Sequence, residues 1–278
     1  MAAGDKKDTY FVEMSYSARD ELFLADRGNK VVRVMRVRDN VGDLRDVYRG
    51  PNDTSANVYS VCYMSDSDTL LVCSGEDGPD RKYVNWLVAL IRNGSEWREA
   101  HRVQTDFRRS ARTGWIDCAL SDSRVLIGQH NTTYMELFSV EIGPHIARVH
   151  RIHVPEEYYW FSATCSSDTL VAMSYPFLDQ SVRVYRLRGD RLEELARIQL
   201  KWPNKLLWVD DRLLVADLDN DKKSHAIIEL EVSDTRLECR RELIATCENL
   251  NVNRLCAVND GLAIFDYNSK DILHYSFL

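Results

Sequence analysis

The chain has 278 residues, 45% hydrophobic and 28% charged, the balance of a globular domain and not of collagen, extended disorder or a coiled coil. Its 36 basic and 43 acidic residues give a net charge of −7, so the chain as a whole lacks the positive field that nucleic-acid backbones reward. The longest apolar run, Trp86 to Ile91, is too short to cross a bilayer, and the first residues hold no apolar export segment, so an intracellular protein, cytoplasmic or nuclear, is expected.

Read in chain order, one segment recurs: small or apolar residues, then Ser or Asp, then an aliphatic strand. Its marker positions are Met14, Cys62, Cys118, Cys165, Trp208 and Cys256, at steps of 48, 56, 47, 43 and 48 residues. Each copy continues with a polar turn, an alternating strand, a tight turn and a last strand, which predicts four strands per copy. In the first copy these are ELFLAD, the turn Arg27-Gly28-Asn29, KVVRVMRV, and LRDVYRG after a second turn. In the fourth they are TLVAMSY, SVRVYRL, the turn Arg188-Gly189-Asp190 and LEELARIQL. The long step falls where the second copy carries a polar stretch, Ser74 to Tyr83, expected as a loop. Asn93-Gly94 is the composition of a two-residue hairpin turn.

Six copies of about 48 residues with no convincing amphipathic helix predict an all-β, six-bladed β-propeller. A sandwich has fewer strands than this, and two barrels would not keep one phase throughout. The expected plan is a polar tail over 1–9 and one domain over 10–278, with blades near 10–50, 56–107, 113–154, 158–202, 204–247 and 250–278. The last blade ends after its third strand, ILHYSFL, and such an open edge is expected to be covered or to belong to a short blade.

The piece from Leu24 to Val34 resembles the second-to-third-strand hairpin of NHL-repeat propellers. Ser181-Val182-Arg183-Val184-Tyr185 resembles the third strand of a WD-repeat blade. Each likeness covers one blade, and no copy holds the Gly-His and Trp-Asp dipeptides of WD repeats. The resemblance is to the propeller superfamily, as a divergent WD-like or NHL-like member, and implies a binding platform.

Motifs for chemistry are sparse. Seven cysteines without a Cys-x-x-Cys pair suit a reducing compartment, and marker cysteines in separate blades cannot gather around one metal. They read as small packing residues. His145, His150 and His153 read as structural, since an odd spacing on a strand points His150 and His153 to opposite faces. Asp217-Leu218-Asp219-Asn220-Asp221 begins like a calcium loop, but Lys222 stands where Gly is needed, so a turn is expected. Nucleophile elbows, zinc-protease motifs and phosphate loops are missing, and no cofactor, metal or catalytic residue is assigned.

One propeller face is built by the links between blades and the turns after each second strand. The link from blade two to three carries Phe107, Arg108, Arg109, Arg112 and Trp115. The next carries Tyr158, Tyr159 and Trp160, and Trp202 stands in the one after, with Tyr175 and Phe177 in a turn beside it. Aromatic and arginine side chains anchor protein partners, because they hide large area at small rotamer cost. The expected function is therefore a non-catalytic protein-interaction scaffold acting through this face. The alternative is a propeller hydrolase or lactonase with Asp26, Asp217 or Asp266 turned to the channel mouth. Nucleic acid ranks below protein, because Glu156 and Glu157 sit inside the same cluster.

Overall fold

The computed structural model describes residues 10–37, 44–50, 57–77, 83–106, 115–121, 123–128, 134–141, 145–154, 162–166, 169–219, 224–233, 236–244 and 250–276, with backbone alone at Asp77, Tyr83 and 115–121. The described residues contain strands and no helix.

The first meander is β1 (Phe11–Ser17), β2 (Glu21–Asp26), β3 (Val31–Arg36) and β4 (Arg45–Tyr48). The second is β5 (Asn57–Met64), β6 (Thr69–Asp77), β7 (Tyr83–Asn93) and β8 (Glu96–Gln104). Then come β9 (Trp115–Ser121), β10 (Arg124–Gly128), β11 (Tyr134–Val140) and β12 (Ile146–His153), followed by β13 (Ser162–Cys165), β14 (Leu170–Tyr175), β15 (Ser181–Arg188) and β16 (Arg191–Gln199). The chain continues through β17 (Pro203–Val209), β18 (Arg212–Asp219), β19 (Ser224–Val232) and β20 (Leu237–Ile244), and finishes with β21 (Val252–Val258), β22 (Gly261–Asp266) and β23 (Ile272–Ser276).

Hydrogen bonding groups these strands into five sheets built of antiparallel meanders: three of four strands, one of three, and one of eight. The eight-stranded sheet is two meanders, β9–β12 and β13–β16, laid edge to edge and joined at a single parallel pair, His153 with Arg191. The first strand of each meander neighbours the first strand of the next, and β21 returns to β1. Second strands such as β2 and β22 are buried along their whole length, first strands such as β1 and β17 only in part, and the fourth strand β8 is mostly exposed, so burial peaks at the second strand and falls outwards from it.

The cores lie in the seams between meanders. Met14, Leu22, Leu24 and Phe11 of the first pack against Cys256, Ala263 and Phe265 of the last, with the Phe11 and Phe265 rings 5.0 Å apart, and so the two ends of the described chain are held together. First strands diverge too far to form a common ladder, and hydroxyls bridge them instead. Tyr63 N donates to Ser15 Oγ at 2.8 Å, Leu206 N to Ser162 Oγ at 3.2 Å and Trp208 N to Thr164 Oγ1 at 3.1 Å.

Turn chemistry recurs with the meander. Asp20, Asp68 and Asp210 hold positive φ between first and second strands, and Lys30, Gln180 and Lys270 do so between second and third. Asn93 pairs with Glu96, so the two-residue turn is Gly94-Ser95, one position later than expected, with Gly94 at φ +65° as a type II′ turn requires. The stretch expected as a loop from Ser74 is strand as far as Asp77, which pairs with Tyr83, because the polar residues there continue a hairpin past the core. The marker residues are also out of register. Counted from the structurally equivalent Asp26, Asp217 and Asp266, Met14 lies opposite Leu24 at two positions back, Cys256 opposite Ala263 at three, and Trp208 opposite Leu213 at four. Repeats of slightly unequal length tolerate such slips in a sequence pattern, but each one-residue slip turns a side chain to the other face.

Candidate functional site: one face and the axial channel

The face expected to bind partners is built on a repeated closure. Tyr10 N donates to Asp26 Oδ1 at 3.3 Å, Trp202 N to Asp217 Oδ1 at 2.6 Å and Asn251 N to Asp266 Oδ1 at 2.9 Å. In return the amide after each aspartate donates to the carbonyl of Tyr10, Trp202 or Asn251. Ser174 takes the corresponding part in its meander, accepting from Ser162 N at 3.1 Å. The carboxylates of Asp217 and Asp266 thus take backbone amides, while Asp26 adds the Asn29 side-chain amide at 2.8 Å and Arg33 at 3.4 Å, and all three fix the lead-in segments. Burial raises the Asp217 carboxyl above its ordinary range against the opposing pull of the Trp202 and Lys201 amides.

This closure places aromatic side chains side by side across seams. Phe177, in the β14–β15 turn, meets Trp202 edge-on at 5.1 Å, and Tyr267, in the β22–β23 turn, meets Tyr10 edge-on at 5.9 Å. The Arg27 guanidinium lies 5.6 Å from the Tyr59 ring centre in the equivalent seam, and Lys270 Nζ sits 3.3 Å over Tyr267. Phe177 is 59% exposed, Leu178 41% and Tyr267 43%.

Of the sequence candidates, Phe177 and half-buried Trp202 come together here. Tyr175 does not belong to the surface: it is fully buried in the seam core, its hydroxyl 3.0 Å from that of Tyr185 and its ring beneath the Arg183 guanidinium at 4.5 Å. As the last residue of β14 it pairs with Ser181, and its side chain turns inwards where Phe177, two residues on in the turn, faces solvent. Phe107, Arg108, Arg109, Arg112, Tyr158, Tyr159 and Trp160 lie outside the described residues, and Trp115 is described by its backbone alone.

Of the calcium-like motif, Asp219 meets Lys201 Nζ at 2.8 Å, while Asn220, Asp221 and Lys222 lie outside the described residues; no metal-ligating group of three occurs among the described residues. In the Arg188-Gly189-Asp190 turn, Gly189 O lies 2.9 Å from His150 Nε2 and Asp190 O accepts from His153 N at 2.9 Å, joining the two meanders of the large sheet. His145 lies against His101, ring centroids 4.6 Å apart and planes tilted by 32°. Burial pushes the Cys73 and Cys256 thiols well up, the behaviour of packing cysteines.

The sequence points to the channel mouth through Asp26, Asp217 and Asp266, but not to the residues that line the axis. In β1, β5, β17 and β21 the register shifts by one residue near the strand start, and the residue after each bulge is Glu13, Ser60, Lys205 or Arg254. All four line a cavity of about 220 Å³ on the axis, which also meets Ser162 and Thr164 of β13. Bulges twist a strand and re-aim side chains, which here brings a polar layer onto the axis. The sequence signal is a charged residue two positions after the first apolar residue of an inner strand: Phe-Val-Glu, Pro-Asn-Lys, Val-Asn-Arg.

No protein-family model and no curated protein matches the chain. Solved structures do. A chain of the mitotic checkpoint complex superposes with a TM-score of 0.65 at 10% identity, covering 96% of this chain and 87% of that one. Virginiamycin B lyase from Staphylococcus aureus superposes with a TM-score of 0.56 at 9% identity, covering 98% of this chain and 96% of that one. At such identities the likeness speaks for architecture alone. With radially arranged antiparallel meanders, it defines the chain as a β-propeller-type fold.

Proposed function

We propose that the chain is a divergent WD-repeat-like or NHL-repeat-like propeller of six blades over 10–278, working as a non-catalytic protein-interaction scaffold in the cytoplasm or nucleus. The count of six is supported by the closed ring of first strands β1, β5, β9, β13, β17 and β21, and by the single bridge at which the eight-stranded sheet divides.

One observation carries the scaffold reading. Four large hydrophobic side chains are exposed among the described residues, and three of them, Phe177, Leu178 and Tyr267, stand in second-to-third-strand turns on one face. Each turn is fixed by the aspartate or serine closure, so the aromatic groups are held before a partner arrives and lose little freedom on binding. Preorganised aromatics beside Lys270 and Arg27 match the composition of interface anchors. Phe107, Arg108, Arg109, Arg112, Trp115, Tyr158, Tyr159 and Trp160 are proposed members of the same partner-binding set. Nucleic acid remains the lesser alternative to protein on charge grounds.

The test is a triple substitution, Phe177→Ser, Leu178→Ser and Tyr267→Ser, with Val149→Ser on the outer strand β12 as control. Partners captured by the unaltered protein are identified and titrated one at a time. The triple variant is expected to bind them at least about tenfold more weakly with little change in melting temperature. Equal affinity of the triple variant for every partner refutes the assignment.

A further inference from the structure

Where the last meander meets the first, and the first meets the second, rings and cations alternate along one continuous strip of the binding face. Lys270 Nζ sits 3.3 Å over the Tyr267 ring, and Tyr267 meets Tyr10 edge-on at 5.9 Å. Arg27 N donates to Tyr10 O at 3.0 Å, and the Arg27 guanidinium lies 5.6 Å from the Tyr59 ring centre. Lys30, exposed, closes the same turn as Arg27.

Charge sets this strip apart. Arginines elsewhere pair with carboxylates, as Arg19 does with Asp68 and Arg197 with Glu194. Arg27, Lys30 and Lys270 have no ion pair among the described residues. The carboxylates beside them are engaged or withdrawn: Asp26 and Asp266 are buried and hold the closure amides, Arg33 is the cation that reaches Asp26, and Asp271 is half-buried. The backbone agrees. Lys30 and Lys270 hold the same place in their turns, at φ +56° and +62°, a left-handed region that Gly or Asn enters more easily than lysine. Backbone outliers of this kind gather where a surface is used.

In a chain of net charge −7, three cations without counter-charges beside preorganised tyrosine rings complement an anionic partner. Because the strip crosses two seams, the matching shape is an extended chain and not a single group. We propose that this strip binds an extended acidic segment of a partner protein, with its carboxylates on Arg27, Lys30 and Lys270 and its apolar side chains on Tyr10, Tyr59 and Tyr267. This rests on the scaffold reading above and adds the chemistry of the partner.

A random peptide library is selected on the full chain, and the selected peptides are titrated singly beside a short oligo(dT). The peptides are expected to carry net negative charge with aromatic or aliphatic residues between the acids, and to bind more weakly as salt rises. Their affinity is expected to fall at least about tenfold when Arg27→Gln, Lys30→Gln and Lys270→Gln are combined. Glutamine suits the two turn positions, since Gln180 holds the equivalent place in the fourth meander at φ +56°. Combining Arg98→Gln, Arg191→Gln and Arg236→Gln removes the same charge from exposed outer positions and is expected to leave affinity within about twofold. Peptides that lose affinity in the Phe177→Ser, Leu178→Ser, Tyr267→Ser protein, yet are neutral or basic or are indifferent to the three strip glutamines, overturn this proposal and leave the scaffold reading standing. Indifference to both triple variants sinks both. Oligo(dT) bound as tightly through the same cations transfers the strip to nucleic acid, and peptide binding that emerges only after deletion of residues 1–9 makes that segment the occupant; either result overturns the proposal.

Discussion

The Phe177 ring stands edge-on to Trp202, centroids 5.1 Å apart and planes at 85°, across the seam between two successive meanders. One ring comes from a hairpin turn and the other from the segment leading into the next first strand. Their contact depends on Asp217 holding Trp202 N. A double-mutant cycle of Phe177→Ala and Trp202→Ala should therefore show a coupling of about 0.5–1.5 kcal/mol. Asp217→Ala should abolish the coupling by freeing the lead-in segment. A coupling that survives Asp217→Ala would mean that the pair is positioned by something other than the closure.

His225 gives the fold a pH dependence. It is buried, its Nδ1 accepts from Val252 N at 3.2 Å, and its Nε2 lies 3.0 Å from the Asn204 amide, so it ties β19 to β21 and β17. Acceptance at Nδ1 places the proton of the neutral ring on Nε2. Desolvation, helped by the Lys205 charge, lowers its pKa from 6.5 to about 4. The unfolded chain then binds the proton between these values while the folded chain does not, so stability is complete above about pH 6.5 and falls as pH drops towards 4. The loss between pH 7 and 5 should be about 2 kcal/mol from this residue. Chemical denaturation across that range, compared with His225→Gln, should show a shallower slope in the variant; parallel slopes would contradict the assignment.

How far the sequence disclosed these relationships follows from where each signal resides. Alternation in KVVRVMRV and LEELARIQL, and turn composition at Arg27-Gly28-Asn29, are local, and the strands fall there. The repeat was legible as a period but not as a phase: Met14, Cys256 and Trp208 sit at three different depths, because bulges and turns shift residues without altering composition. Phe177 was found through its place beside a turn, whereas Tyr175, two residues earlier, needed knowledge of which way the last strand residue points. The channel layer was missed because Glu13, Lys205 and Arg254 lie in separate meanders and become neighbours only on ring closure.

Gly261 is set by a close approach rather than by its own dihedral freedom. A Cβ built there would lie 1.9 Å from Tyr275 O, on the backbone of β23. Gly94 and Gly189, by contrast, have nothing within 4 Å of such a Cβ and carry only the strain of positive φ. Gly261→Ala should thus cost about 1–3 kcal/mol by forcing β23 away from β22, while Gly94→Ala costs about 1 kcal/mol. Amide exchange at Leu273 and Tyr275 should quicken in the first variant and not in the second. Unchanged exchange at β23 in Gly261→Ala would show that the strand is held elsewhere.

Arg254 closes the ring between the last meander and the first. Its Nε bond to Val12 O and its approach to Glu13, together with Asn253 Nδ2 donating to Phe11 O at 2.9 Å, are polar links across the seam that the Phe11 and Phe265 rings fill. Removing one member of a buried pair leaves the other without its counter-charge, so Arg254→Leu should cost about 3–5 kcal/mol. Much of that cost belongs to the stranded Glu13 carboxylate and not to lost attraction. Adding Glu13→Gln to Arg254→Leu should then restore a large part of the stability, although Glu13→Gln alone destabilises. Urea denaturation of the two single variants and the double variant measures the cycle. A double variant less stable than Arg254→Leu would instead make the bond to the Val12 carbonyl the dominant link, with Glu13 contributing independently of it.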